Sequence, residues 1–433
     1  MRKWLRECLN ARVKQRIFSP QSVVTSALLV GLFVIPAAAQ EPTAADANSG
    51  TNNLYMLGDW AGERTKLASS GVVLEVFYVN DLFFDGGGAL GNWSRLRGTL
   101  DIDFGKAELV RGLKFHIAAM WQAGGNIAAY LGTIANPSSN ASFNLTRLDS
   151  WWFEQALAHD RVFVRVGQFA GFDSYGVQQD GDTYLNEPMG YALGNLFAAD
   201  YEPFAPAATP AAEVRYVPSA HFYVKSAIFS GNRNPLRDDV SGTHFKFKDT
   251  PVIASEAGFL VDPTPAREAK TYPGSYKFGA TINPGQFPNL VTGQETRTNY
   301  LIYFMANQRI YRRQAGSDRG IDLNFAYDWT PADLTKNFSQ VTAGARYHGL
   351  VPHRERDTLS GGIVYSRISG VLNEALSQSG LSPLRAEKAL ELNYTMKLKP
   401  WLTFQPVLEY YFDTGGRPNS RTTIAGFRTT FVL

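Results

Sequence analysis

The chain has 433 residues, enough for two or three ordinary domains or for one large barrel. Its 42 Lys+Arg nearly balance 39 Asp+Glu, for a formal charge of +3, so no basic field points to nucleic acid. The single cysteine, Cys8, excludes a disulfide framework and thiol chemistry.

Residues 1–39 read as a signal peptide. Arg2, Lys3, Arg6, Arg12, Lys14 and Arg16 make a basic start, an apolar run spans about Val23 to Ile35, and Ala37-Ala38-Ala39 precedes Gln40 as a cleavage site. That segment holds six of the basic residues and only Glu7 of the acidic ones, so the chain after it carries 36 positive and 38 negative residues. Residues 40–70 form a polar leader with a short helix. Asp59 is its expected N-cap and Gly71 its terminator.

From residue 71 to 433 the pattern is alternation. No segment there approaches 18 uninterrupted apolar residues, so a membrane location requires a closed sheet, the other structure that satisfies all backbone groups in lipid. Sixteen strands are expected, at 72–82, 92–104, 113–122, 147–157, 161–168, 211–217, 221–229, 252–262, 274–282, 300–311, 320–329, 340–349, 358–368, 387–398, 401–412 and 421–432. In the last pair, Leu402, Phe404, Pro406, Leu408, Tyr410 and Phe412 share one face, as do Ala425, Phe427, Thr429, Phe431 and Leu433. Connections after even-numbered strands average about 6 residues and those after odd-numbered strands about 19, the sorting of short turns and long loops that a transmembrane barrel shows. The expected fold is therefore all-β, an antiparallel transmembrane barrel of about sixteen strands with a short N-terminal helix.

In such a barrel the polar face of each strand lines the interior. The second strand turns Arg95, Arg97, Asp101 and Asp103 inward, the fourth Trp152 and Glu154, the fifth Arg165, and the sixth Glu213 and Arg215; Glu409 and Arg428 join from the last two. Two readings remain open for these charges: ion pairs that stiffen the wall, or a polar constriction. Guanidinium forks and carboxylates can bond several hydroxyls at once, and Trp152 can stack on the C–H face of a sugar. The long connection Phe169–Pro210, with Asp173, Asp180, Asp182, Glu187 and Asp200, is expected to fold into the lumen. The Gly/Asn/Ser-rich connection 123–146 is expected to cap the surface.

Enzyme signatures are missing: there is no G-x-S-x-G, HExxH, P-loop or cysteine nucleophile. Histidines 116, 159, 221, 244, 348 and 353 lack metal-ligand spacing; His116 and His348 fall within strands, and His159 and His221 at short turns.

Four stretches carry a family resemblance: LGDWAGERTKLASSGV (57–72), LDSWWFEQAL with RVFVRVGQF (148–169), HRERDTLSGGIVYSR (353–367), and ELNYTMKLKPWLTFQPVLEYYFDTGGRPNS (391–420) followed by GFRTTF. They resemble the carbohydrate-selective porins of the OprB type. The resemblance implies passive, selective diffusion of small sugars such as glucose through a sixteen-stranded barrel in the outer membrane. Charged side chains, arginines prominent, and an inward loop would narrow the channel. It implies sugars and outer-membrane lipid as partners and no cofactor. Monomer and homo-oligomer are both left open, and the arginines equally suit organic acids or other small polar solutes. Two positions depart from the family pattern, Leu433 where a terminal Phe is common and Ala61 where Gly is typical.

Overall fold

The computed structural model describes residues 54–179, 181–190, 207–232, 235–263, 269 and 271–433; the signal-peptide expectation lies outside them. Sixteen antiparallel strands close into one barrel, each paired with its sequence neighbours and β1 with β16. They are β1 (Val72–Asp85), β2 (Leu90–Asp103), β3 (Leu113–Gly125), β4 (Leu145–Leu157), β5 (Val162–Phe169), β6 (Thr209–Ser219), β7 (Phe222–Phe229) and β8 (Val252–Val261). The second half is β9 (Gly274–Pro288), β10 (Glu295–Arg312), β11 (Gly320–Trp329), β12 (Asn337–His348), β13 (Thr358–Ile368), β14 (Glu387–Lys399), β15 (Leu402–Phe412) and β16 (Arg421–Val432).

All sixteen strands fall where the alternation places them. The largest difference is the β9–β10 hairpin, which runs on to Pro288 and begins again at Glu295. Its added residues are polar or turn-forming apart from Phe287 (NPGQFP, ETRTN), so they carry no apolar alternation, yet their backbone pairing continues past a bulge at Arg297/Asn299.

The outer face is apolar. Leu392, Leu408 and Phe278 are half exposed, whereas Glu409 and Tyr411, on the other face of β15, have no exposed surface. Strand periodicity alone produces this division. The interior departs from a uniformly polar lining. One buried apolar cluster gathers Phe169, Tyr175, Phe229, Val252, Leu301, Tyr303 and Met305, and a second gathers Phe83, Tyr184, Leu185, Met189, Val364, Val407 and Tyr411. Both contain residues of the connection 170–208, so they are seats for a chain segment inside the barrel.

The seam between β1 and β16 is clamped from within. Arg428 pairs with Asp81 at 2.7 Å as cross-strand neighbours, both almost fully buried, and Ser138 adds a 2.6 Å bond to the same carboxylate. At the end of the seam the N-terminal segment closes over it. Arg64 donates to the Leu433 backbone oxygen at 3.1 Å and lies 3.7 Å from the Tyr55 ring centroid. The expected single helix from Asp59 is broken here. Trp60 and Ala61 take positive φ, the α-helix runs Glu63–Ser69, and Asp59 caps it from a distance by accepting from the Thr65 N–H at 2.9 Å. Gly71, at φ +89, ends the segment as expected; a Cβ there would lie 2.5 Å from the Asp103 carbonyl.

Removing one partner of the seam pair leaves a buried charge uncompensated, a cost of about 3 kcal/mol or more. Arg428→Ala should therefore lower the temperature at which the folded band is lost on a heat-modifiability gel. An unchanged transition would show that backbone pairing alone closes the barrel.

Candidate functional site

The inward residues of β2–β6 form a lattice of alternating charge. Arg97 pairs with Asp149 at 2.7 Å; Arg165 pairs with Glu154 at 2.9 Å and approaches Glu213 at 3.9 Å; Arg215 reaches the other oxygen of Glu154 at 3.4 Å. Register explains the order, since Glu154, Arg165 and Glu213 stand opposite one another across β4, β5 and β6. The row continues through Lys225 of β7 to Glu256 of β8 at 3.2 Å.

Asp101 belongs to the same face but bonds His116 at 2.7 Å, whose other ring nitrogen lies 3.3 Å from the Ser150 hydroxyl. Trp152 is flanked on both sides. His116, its partner on β3, stacks on it at 4.9 Å and 13°, and the Arg165 guanidinium sits 4.5 Å from its ring. Stacking a sugar on this indole thus requires displacing one neighbour. Asp103 is set apart, about 26 Å of strand from Arg95, where it accepts from the Gly105 and Lys106 N–H groups in the turn after β2.

Asp149 escapes a reading by strict alternation. A bulge between Ala118 and Ala119 pairs them with Ser150 and Leu148, so Asp149 is the extra residue and its carboxylate reaches Arg97. His116, Lys225, Glu256 and Lys277 are also absent from the sequence expectation, although each is an ionisable residue on the inward face of its strand.

The described part of the connection 170–208 enters the lumen and runs along the wall from β6 to β15. Ser174 bonds Glu213 and receives Lys225 on its carbonyl. The Gly176 N–H reaches Glu256 at 3.0 Å, and the Val177 and Gln179 carbonyls accept from Lys277 and Arg346 at 2.8 and 2.7 Å. Farther on, Tyr184 bonds Asn324, and the Leu185 and Asn186 N–H groups converge on Glu391 at 2.9 and 2.8 Å. An irregular segment needs a partner for each buried backbone group, and the wall supplies charged ones. Asp180 and Asp200 lie outside the described residues.

Two glycines make room for it. A Cβ on Gly362 would stand 2.2 Å from the Met189 Cε, and one on Gly344 would stand 2.5 Å from the Tyr184 hydroxyl. Gly362 belongs to the SGGIVYSR stretch, which therefore has a seating role.

The connection 126–144 corrects the expectation of a surface cap, because it also turns inward. Ile134 and Ala135 donate to Glu387 at 2.9 and 2.7 Å, Ser138 bonds Asp81, and Arg95 donates to the Asn140 side chain and carbonyl at 3.2 and 2.8 Å. The two segments meet: the Ser139 N–H bonds the Leu185 carbonyl at 2.7 Å and the Glu187 N–H bonds the Asn136 carbonyl at 2.9 Å. Composition hides this, since Asn, Ser and Gly serve a buried polar seam as readily as a solvated loop. The inward segment rests on the walls from β6 to β15, and its exposed Asp173 lies within electrostatic reach of Arg97, Asp149, His116 and Arg95 on the β2–β4 wall. The geometry is a ring, charged wall on one side and loop carboxylates on the other.

Comparison with known proteins supplies the family of this closed sixteen-strand barrel. Residues 88–433 match the model of the carbohydrate-selective porin, OprB family. The chain belongs to this family. It is 22% identical over 414 residues to Porin B of Pseudomonas aeruginosa, covering 84% of this chain and 88% of that one. Among solved structures, the high-pH form of Pseudomonas putida OprB superposes with a TM-score of 0.80 at 18% identity, over 89% of this chain and 99% of that one. Its low-pH form gives 0.59 at 16% identity. The family and the fold together make this chain an outer-membrane β-barrel porin for carbohydrate diffusion, a channel in character. Among the described residues no group of His, Cys, Asp or Glu could hold a metal ion.

Because each wall guanidinium neutralises carboxylates, deleting one changes the sign of its neighbourhood. Arg97→Ala and Arg165→Ala should each move the reversal potential in a salt gradient toward cation selectivity while the folded band persists on gels. Wild-type reversal potentials in both would remove these residues from the conducting path.

Proposed function

We propose that this porin admits small neutral sugars, glucose among them, by passive diffusion into the periplasm, and that the ring formed by Arg95, Arg97, Asp101, Trp152, Glu154, Arg165, Glu213 and Arg215 with the inward loop is where solutes are selected. The observation that carries this reading is charge balance within the lattice: Arg97 is matched by Asp149, and Arg165 by Glu154 and Glu213. Paired guanidiniums keep several N–H donors, and their carboxylates keep acceptor lone pairs, while the net field on a passing solute is small. A polyhydroxylated neutral molecule exchanges water for such donors and acceptors with little loss. An anion gains no uncompensated positive field to repay its dehydration. The same balance sets a sugar channel above one for organic acids, which the arginines alone would also suit.

The remaining parts of the proposal concern export and orientation and rest on the sequence reading. Residues 1–39 act as the export signal, 40–70 as a leader ending in the rim helix, and 71–433 as the barrel. The half-exposed apolar outer face contacts membrane lipid, with the short connections toward the periplasm. Asp103, held in the turn after β2, serves the periplasmic rim rather than the ring.

Liposome swelling tests the substrate class. Purified protein should admit monosaccharides faster than amino acids or organic acids of similar size. Equal rates for all solutes would reduce it to a general pore, and faster entry of organic acids would favour the anion channel.

A further inference from the structure

Glu187 stands where the two inward segments are sewn together. Its N–H donates to the Asn136 carbonyl at 2.9 Å, and its carboxylate accepts from the Asn136 side chain at 3.1 Å. The residues after it, Pro188, Met189 and Gly190, are buried, with Met189 against the Gly344 and Gly362 notch of β12 and β13. The two before it are tied to Glu391 of β14. With its neighbours fixed to that wall, Glu187 keeps partial exposure, and the charged group that acts on it is Arg95 of β2, more weakly than its burial and the Asn136 bond.

We propose that Glu187 is a specificity-determining residue of the passage, its charge deciding how strongly the ring discriminates between anions and cations. This rests on the channel reading above and adds one residue to it. The connection 126–144, which packs against Glu187, contains no charged residue, so the seam carries only the Glu187 charge. Arg95 of β2 donates to Asn140 of that same segment and acts on Glu187 electrostatically. The other charges around the seam are engaged elsewhere: Asp81 of β1 with Arg428 of β16, Glu387 of β14 with the Ile134, Ala135 and Gly415 N–H groups, Glu391 and Glu409 with the backbone and side-chain amides of Leu185 and Asn186, Arg346 of β12 with the Gln179 carbonyl, and Asp182 of the inward segment with a partner of its own. Asp173, on the same inward segment, faces Arg97 and His116.

Burial holds the Glu187 carboxyl well above the usual carboxylate range, at about 7, against the opposing pull of the Asn136 bond and Arg95. The group is therefore neutral on the acid side of 7 and negative on the alkaline side. When it is neutral, Arg95 acts on a passing ion unopposed by it; when it is charged, the two cancel. Anion preference should thus fall as pH rises through 7.

The test is reversal potential in a salt gradient across planar bilayers containing the full-length protein, at about pH 5.5 and about pH 8.5. The wild-type anion-to-cation permeability ratio should drop about ten-fold, about three-fold for each ion of the pair, the Boltzmann weight of one elementary charge acting at roughly 6 Å through water. Glu187→Gln should hold the acid-side ratio at both pH values, and His116→Gln should keep the wild-type drop. A wild-type drop in Glu187→Gln, or its disappearance in His116→Gln, overturns the assignment. Wild-type protein that passes neither salt nor sugar would instead overturn the channel reading beneath it.

Discussion

Inside this barrel an irregular stretch of chain has to find a partner for every backbone group that leaves water, and the wall answers with full charges. Lys225, Lys277 and Arg346 take carbonyls of the segment 170–190, while Glu256 and Glu391 take its N–H groups. Glu387 does the same for Ile134 and Ala135 of the second inward segment. Charge-assisted bonds of this kind are roughly twice as strong as neutral ones. Everything functional depends on them, because they hold one boundary of the passage against the far wall and leave β2–β5 facing it.

That dependence explains an asymmetry in the lining. From β6 to β15, many wall charges are spent on the loops, Arg309, Asp322 and His348 pair among themselves, and apolar clusters fill the gaps between them. From β2 to β6, charges are matched mainly with one another through Arg97–Asp149 and Arg165–Glu154. On the proposed reading, one half of the barrel is a mount and the other the filter. The β1–β16 pair Asp81–Arg428 joins the two at the point where the sheet closes.

The fold was legible because a strand half in lipid writes its periodicity directly into the sequence. Sixteen alternating runs, from Val72 to Val432, needed no tertiary information to be found. The inward set on β2, β4, β5 and β6 followed from the same rule. Asp149 did not, since one bulge at Ala118/Ala119 moves a residue to the other face and leaves no mark in composition. The inward turn of 126–144 was hidden too, because its decisive contacts, such as Ile134 with Glu387 and Ser138 with Asp81, join residues far apart in sequence. Asp103 shares its face with Arg95 but not its height, a distinction periodicity cannot draw.

The central claim is that wall carboxylates hold both inward segments in place as the narrowing element. Single-channel conductance of a Glu387→Ala, Glu391→Ala double variant tests it most directly. The account predicts a folded barrel with raised conductance and no discrimination between mono- and oligosaccharides. A folded barrel with wild-type conductance and an unchanged size limit would contradict it.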